Sequence, residues 1–360
     1  LGTVLRALAA EGFDGFYRGP IAKKLVDGTR AAGGIWTLED LASYGVRIRQ
    51  PVQGQFGDMK ITSASLPSSG GLVMTQVFNI LDGLDLSAAD EIDRIHVLVE
   101  AMRRAYRDRA EYMGDSDYVQ VPVDRLLSKN HGDLLRASID PRRATPSSSL
   151  VAIAGSSGQG TDTTHFSVVD SIGNRVAATL SVNYPFGSGF VPPGTGVLLN
   201  DEMDDFSVKP GVPNVYGLVG AEANSIAPGK RMLSSMSPTF LETPDRVAVV
   251  GTPGGSRIIS MVIQAALAFH EGASAAEMVS RGRIHHQYLP DRIQYEPDAL
   301  TPREIVRLYT RGHALHPHGR TWGNMHAIVI DKADGSLSAA SDPRGEGKAA
   351  VIGDIASTVE

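Results

Sequence analysis

Apolar residues recur at helical spacing through the first fifty positions. Leu5, Leu8 and Ala9 share one face, and Ile21, Leu25 and Val26 share another. Thr37, three residues ahead of Asp40 in TLEDLASYG, gives a helix-capping pattern. MKITSAS (59–65) reads as a strand, LPSSGG as a turn, and LVMTQVFNILDGL as a helix. The clearest helix is DEIDRIHVLVEAMRRAYRDRAEYMGD, where Ile92, Ile95, Val99, Met102 and Tyr106 form one stripe. Its arginines are expected on a solvated face.

The second half changes character. DPRRATPSSSLVAIAGSSGQG, over about 140–162, reads as a flexible linker. HFSVVDSIGNRVAATLSVN then alternates on both sides of SIGN, the pattern of a β-hairpin. A glycine-rich stretch, FGSGFVPPGTGVLLNDEMDDFS, follows. RVAVVGTPGGSRIISMVIQAALAF reads as strand, tight glycine turn and helix, and MHAIVIDKADGSLSAASD as a hairpin around Asp334 and Gly335. No internal repeat is visible. Helices first and hairpins mixed with helices later fit sheets covered by helices, an α+β class.

Composition narrows the function classes. The 360 residues suit two domains or one large layered domain, and 42% apolar content allows a sizeable core. The 34 basic and 40 acidic residues give a net charge of −6, which argues against nucleic acid as a partner. No apolar run approaches the roughly 20 residues of a membrane span. There is no cysteine, which removes thiol nucleophiles, disulfides and zinc–thiolate sites. The chain begins at Leu1 inside a helical pattern, and we expect it to be part of a longer protein.

No G-x-S-x-G elbow and no phosphate loop is present. His313, His316 and His318 in HALHPHG could bind a metal, but no carboxylate spacing supports it, and a structural cluster is the expectation. Asp201, Glu202, Asp204 and Asp205 could receive a cationic group or line a solvated turn. Ser234 and Ser235 could donate hydroxyl hydrogen bonds to a carboxylate or be plain strand polarity. Gly254 and Gly255 stand where a helix begins, so their N–H groups could hold an oxyanion.

Thr163, in TDTTHFSVVD, needs a base to act as a nucleophile. No histidine–acid arrangement is legible for it. An α-amino group has a pKa of about 7.7–8.0, which suits a general base at neutral pH. A cut before Thr163 would put that amine on the same residue as the hydroxyl.

At this point the motifs converge. PSSGG, RRAYRDRAEYMGD, DTTHFSVVDSIGNRVAATLSVNYPFGSGF, GVLLNDEMDDFSVKPGVPNVYGLVG, RMLSSMSPT, GTPGGSRI, HHQYLPD and SDPR occur in order along the chain. Together they resemble the γ-glutamyltransferase (γ-glutamyltranspeptidase) family of N-terminal-nucleophile hydrolases. The resemblance implies a four-layer αββα sandwich, truncated at its N-terminal side. It implies a precursor that cuts itself between Asp162 and Thr163. Residues 1–162 would then be the C-terminal part of a large subunit and 163–360 the small subunit, the two forming a heterodimer. Thr163 would attack glutathione or another γ-glutamyl donor, and water, an amino acid or a peptide would accept the acyl group. No cofactor or metal is implied.

Roles follow residue by residue from the resemblance. Ser181 stands where the family usually has threonine near the nucleophile, and Thr164 is the second threonine that supports it. Asn183, Glu202 and Asp205 match residues that hold the α-amino group, with Glu202 replaced by glutamine in some members. Ser234 and Ser235 match the α-carboxylate pair, Gly254 and Gly255 the oxyanion hole, and Tyr216 the gating tyrosine of the lid PGVPNVYG. The family's carboxylate-binding arginine lies upstream of Leu1. A periplasmic or secreted location is implied. The alternatives are a β-lactam side-chain acylase of the same superfamily and an uncleaved, inactive binding protein. Retained α-amino ligands favour glutamyl substrates over glutaryl ones.

Overall fold

The computed structural model describes residues 1–150, 163–214 and 216–352. They form two compact units, one of Leu1–Gln50 with Val182–Glu202 and one of Pro51–Ser181 with Met203–Glu360.

The first unit is helical over its N-terminal segment: α1 (Gly2–Glu11), α2 (Asp14–Tyr17), α3 (Gly19–Ala31) and α4 (Leu38–Ala42). Thr37 and Asp40 do form the capping box expected of them, which satisfies amide groups at the start of α4. Val4, Ile21 and Leu25 make the core, with Ala7, Phe16, Trp36, Leu41 and Val197 packed on it. The face expected at Leu5, Leu8 and Ala9 is exposed instead. Helix α1 has two apolar flanks, and the one carrying Val4 and Ala7 meets α3.

The second unit holds the remaining elements in chain order. They are β1 (Val52–Phe56), β2 (Met59–Ser63), α5 (Gly70–Leu81), α6 (Glu91–Tyr112), α7 (Val123–Leu127), α8 (Lys129–Ala137), β3 (Thr163–Val169) and β4 (Arg175–Ser181). After them come β5 (Thr239–Glu242), β6 (Arg246–Gly251), α9 (Ile258–His270), α10 (Ala275–Ser280), β7 (Ile284–His285) and β8 (Ile293–Tyr295). The last are α11 (Pro302–Thr310), β9 (Leu315–Pro317), β10 (His326–Asp331) and β11 (Leu337–Ser341). The α+β class holds.

Six strands pair in the order β1-β2-β5-β6-β10-β11, every neighbour antiparallel. Strand alternation sorts their side chains. Ile61, Leu241, Ala248 and Val329 form one cross-strand row and join the core with α5, α6 and α9. On β6, Val247 and Val249 point the other way and are also buried. That opposite face receives the β3–β4 hairpin, whose Ser167 hydroxyl donates to the Val249 carbonyl at 3.5 Å. Helices, the six-stranded sheet and the hairpin therefore lie in that order.

Two expectations change. Three of the five arginines of α6 are not on a solvated face: Arg103, Arg104 and Arg109 are buried, while Arg94 and Arg107 are partly exposed. Helix α6 has α5, α8 and α11 packed around it, so little of it meets water. Burial of the charges is offset by pairing. Arg103 and Arg104 both bond Glu100, at 3.2 and 2.5 Å. The linker expected over about 140–162 falls from 151 onward outside the described residues, but 140–150 is held in place. Thr145 N donates to Glu100 Oε1 at 3.1 Å and Ser147 N to Asp291 Oδ2 at 2.7 Å.

Candidate active site

Thr163 opens β3 and pairs with Ser181, the last residue of β4. Their hydroxyls lie 3.1 Å apart. Both are half-buried, as a nucleophile reached by substrate must be. Alternation puts Thr163, His165 and Ser167 on one face of β3. Thr164 falls on the other face, exposed and opposite Leu180, so the structure does not bring its side chain to that of Thr163.

His165 is two residues along that face and buried. Its Nδ1 is 2.8 Å from Thr179 Oγ1 and its Nε2 3.1 Å from Ser167 Oγ. Burial, with the nearby His326 as a smaller contribution, pushes its pKa down to about 3. A neutral imidazole with both nitrogens engaged is no base for Thr163. Its role is packing: a Cβ on Gly251 would sit 2.2 Å from His165 Cε1. Glycine there lets β3 lie directly on β6.

β6 leads into the candidate oxyanion turn. Gly254 and Gly255 have φ of 146° and 56°, a region side chains disfavour. A Cβ on Gly254 would be 2.4 Å from Met261 Cε, and one on Gly255 2.3 Å from Tyr216 Cε1. Residues 255–257 form a short 3-10 turn that runs into α9. Among the described residues, the Gly254 and Gly255 amides have no acceptor. Two free N–H groups at a helix start are what an oxyanion needs. From behind, Tyr106 on α6 donates its buried hydroxyl to the Ser256 carbonyl at 2.6 Å.

The candidate carboxylate-binding serines sit on a loop stitched to the segment before α5. Ser234 N donates to Pro67 O at 2.8 Å, and the Ser69 amide and hydroxyl donate to Ser234 O at 2.8 and 2.6 Å. Ser235 is buried and Ser234 half-buried. Arg109 reaches both stitches, donating to Ser69 Oγ at 2.8 Å and Ser235 Oγ at 3.3 Å. Asp205 accepts from Asn214 Nδ2 at 3.2 Å, and Asn214 Oδ1 accepts from the Tyr216 amide at 3.0 Å. The lid residues therefore connect Asp205 to the ring packed on Gly255. Asn183 and Glu202 belong to the other unit. There Asn183 is buried with φ of 71° and donates to Asp201 O at 3.2 Å, and Glu202 N donates to Asn200 Oδ1 at 3.0 Å.

Sequence reasoning missed Tyr106 and Arg109 as site residues. The signal was present: Met102, Tyr106 and Arg109 continue the buried stripe at spacings of four and three. The histidines of HALHPHG separate. His318 lies 3.2 Å from Arg257 Nη2, and His313 pairs with His96 at 2.8 Å. His96, Glu100 and His313 offer atoms within 4.8 Å of one another, as a metal site would. Glu100 is already held by two arginine cations, which makes the spot hostile to a metal ion.

Helices, a six-stranded antiparallel sheet and a hairpin that opens on a threonine are the layers expected of an N-terminal-nucleophile hydrolase. The gamma-glutamyltranspeptidase family model matches residues 1–352, and the chain belongs to that family. It is 40% identical over 348 residues to the glutathione hydrolase proenzyme of Escherichia coli K12, covering 96% of this chain and 60% of that protein. It is 34% identical over 359 residues to the acylase ACY 1 proenzyme of Pseudomonas sp. strain SE83, covering 97% of this chain and 60% of that one. In structure it is similar to cephalosporin acylase from Bacillus halodurans, with a TM-score of 0.81 and 25% identity over 97% of this chain and 62% of that one. The chain thus spans about 60% of the length of these relatives.

Proposed function

We propose that this chain carries the catalytic threonine of a γ-glutamyl hydrolase or transferase acting on glutathione and related donors. The observation that carries the reading is the seat of Thr163: first in its strand, its hydroxyl against Ser181, on a strand laid over β6, which leads into the turn of Gly254 and Gly255.

In maturation, Thr163 Oγ1 attacks the Asp162 carbonyl and the acyl group moves from nitrogen to oxygen. Water hydrolyses that ester, leaving Asp162 as a carboxylate and Thr163 with a free amine. Asp162 itself lies outside the described residues. In turnover, the amine takes the hydroxyl proton as Oγ1 attacks the γ-carbonyl of the donor. The oxyanion is received by the Gly254 and Gly255 amides. The leaving amine takes the proton, and a threonyl γ-glutamyl ester remains. Water releases glutamate from it, and an amino acid or peptide amine gives a new γ-glutamyl amide. Ser181 orients the hydroxyl, Asp205 receives the α-ammonium, Ser234 and Ser235 receive the α-carboxylate, and Tyr216 covers the turn; the family resemblance gives Asn183 and Glu202 a role in holding the ammonium too. The family resemblance makes Thr164 the second threonine of the nucleophile's environment. Residues 1–162 and 163–360 stay together as two subunits, in the periplasm or outside the cell. Among the described residues no helix is long and apolar enough to cross a membrane.

The likeness to acylases supplies a second reading, hydrolysis of glutaryl-type amides. Asp205 argues for the first, because a glutaryl group has no ammonium for a carboxylate to bind. Mass spectrometry tests maturation directly: two chains are expected, the smaller beginning at Thr163. Thr163→Ala should remain one chain and lose at least about a thousandfold in turnover. A variant that still splits refutes the nucleophile.

A further inference from the structure

Arg109 is 4% exposed, yet its hydrogen-bonding partners are two serine hydroxyls and no anion. Among the described residues, no carboxylate lies within ion-pair distance of it. The charge that acts on it from further away is the Asp205 carboxylate. Arginine stays protonated even when burial lowers its pKa, as here. A buried cation without a partner anion is costly, and the protein keeps one beside Ser235.

The hydroxyl of Ser235 makes the geometry informative. A hydroxyl has one proton to give. Arg109 Nη2 donates to its oxygen, so the proton must point elsewhere, and among the described residues it has no acceptor. Ser69 serves differently. It accepts from Arg109 and passes its own proton to Ser234 O at 2.6 Å. One guanidinium therefore fixes the backbone of one serine and the hydroxyl orientation of the next.

We infer that Arg109 is the positioning residue and buried counter-charge of the α-carboxylate subsite, acting through Ser235 on the carboxylate of the donor. The inference rests on the γ-glutamyl reading proposed above and adds to that subsite a positive charge behind Ser235, distinct from the upstream arginine that the family resemblance implies. Asp205 and Arg109 are then the paired charges that recognise an amino-acid zwitterion, one for each end. Arg109 does not touch the donor. It orients the hydroxyl that does, and its field favours a carboxylate there.

Three ligands separate the two ends: L-glutamate has both groups, glutarate lacks the amine, and 4-aminobutanoate lacks the α-carboxylate. Binding of each is measured by calorimetry on the processed enzyme, beside hydrolysis of the matching p-nitroanilides. Arg109→Gln should weaken glutamate and glutarate by about tenfold or more, and 4-aminobutanoate by less than about twofold. Arg109→Lys, which keeps the charge, should recover part of the loss. Asp205→Asn should weaken glutamate and 4-aminobutanoate and spare glutarate. Equal weakening of all three ligands by Arg109→Gln, or unchanged glutarate binding, overturns the inference. If Arg109→Gln does not fold, the same comparison on Arg109→Lys decides, and equal effects on all three ligands again refute it. The two readings fail separately. Wild-type enzyme that binds glutamate without turning over donors refutes the nucleophile and leaves Arg109 standing. Wild-type turnover with glutarate binding indifferent to Arg109 does the reverse.

Discussion

The hairpin that carries Thr163 and the loops that carry Ser234, Ser235, Gly254 and Gly255 are held in different ways. Thr163 is half-buried at a strand end, and among the described residues its hydroxyl bonds that of Ser181. The outward face of the same hairpin exposes Phe166, Val168, Val176 and Leu180. The serine loop and the glycine turn are instead bound from behind by buried side chains on one rigid helix, Tyr106 and Arg109 of α6. The difference follows from the chemistry. On the proposed function, a residue that becomes a chain end and forms and loses esters must be free to change partners. Groups that receive a carboxylate or an oxyanion work best when already aimed, since reorganisation then costs little.

Gly255→Ala strikes the rigid side hardest. The new Cβ would meet Tyr216 at 2.3 Å, at a φ of 56° that alanine disfavours. We expect kcat to fall by about a hundredfold, with a smaller change in KM, in steady-state assays. A loss confined to KM would mean the turn holds substrate but no oxyanion.

Acid should loosen the hairpin side. His165 has a folded pKa of about 3, below its ordinary 6.5. The unfolded chain therefore binds the extra proton between those values. The contribution is complete above about pH 6.5 and falls as pH drops towards 3, by at most about 1.4 kcal/mol per pH unit. His165→Gln should flatten that slope in urea titrations across the range. An unchanged slope would show that other histidines, such as His285 and His313, carry it.

The smallest expected effect is at Ser181. Ser181→Ala removes one hydrogen bond to Thr163, worth about 0.5–1.5 kcal/mol, so turnover should fall by no more than about tenfold. Ser181→Thr should retain activity. A far larger loss in the alanine variant would mean that the nucleophile is held as tightly as the loops.

Much of this was legible in the chain. The β3–β4 hairpin, the strand–turn–helix at 246–270 and the capping box at Thr37 were read from local pattern, and their ranges agree with it. They were legible because turns, caps and alternation are set by neighbours in sequence. The α6 arginines were misread for the converse reason. Charge on a long helix implies water only when one face has no neighbour, and α5, α8 and α11 surround this one. The exposed face at Leu5 and Leu8 failed in the same way, because a helix with two apolar flanks does not announce which will be covered.

The sequence by itself determined the family, the strand-initial threonine and the glycine turn, since each is a run of adjacent residues with its own chemistry. Tertiary structure alone decided that His165 is a neutral packing residue, that Tyr106 backs the glycine turn, and that Arg109 lies behind Ser235. Those contacts join residues 86 to 150 positions apart, or depend on burial, and burial is a property of what surrounds a side chain.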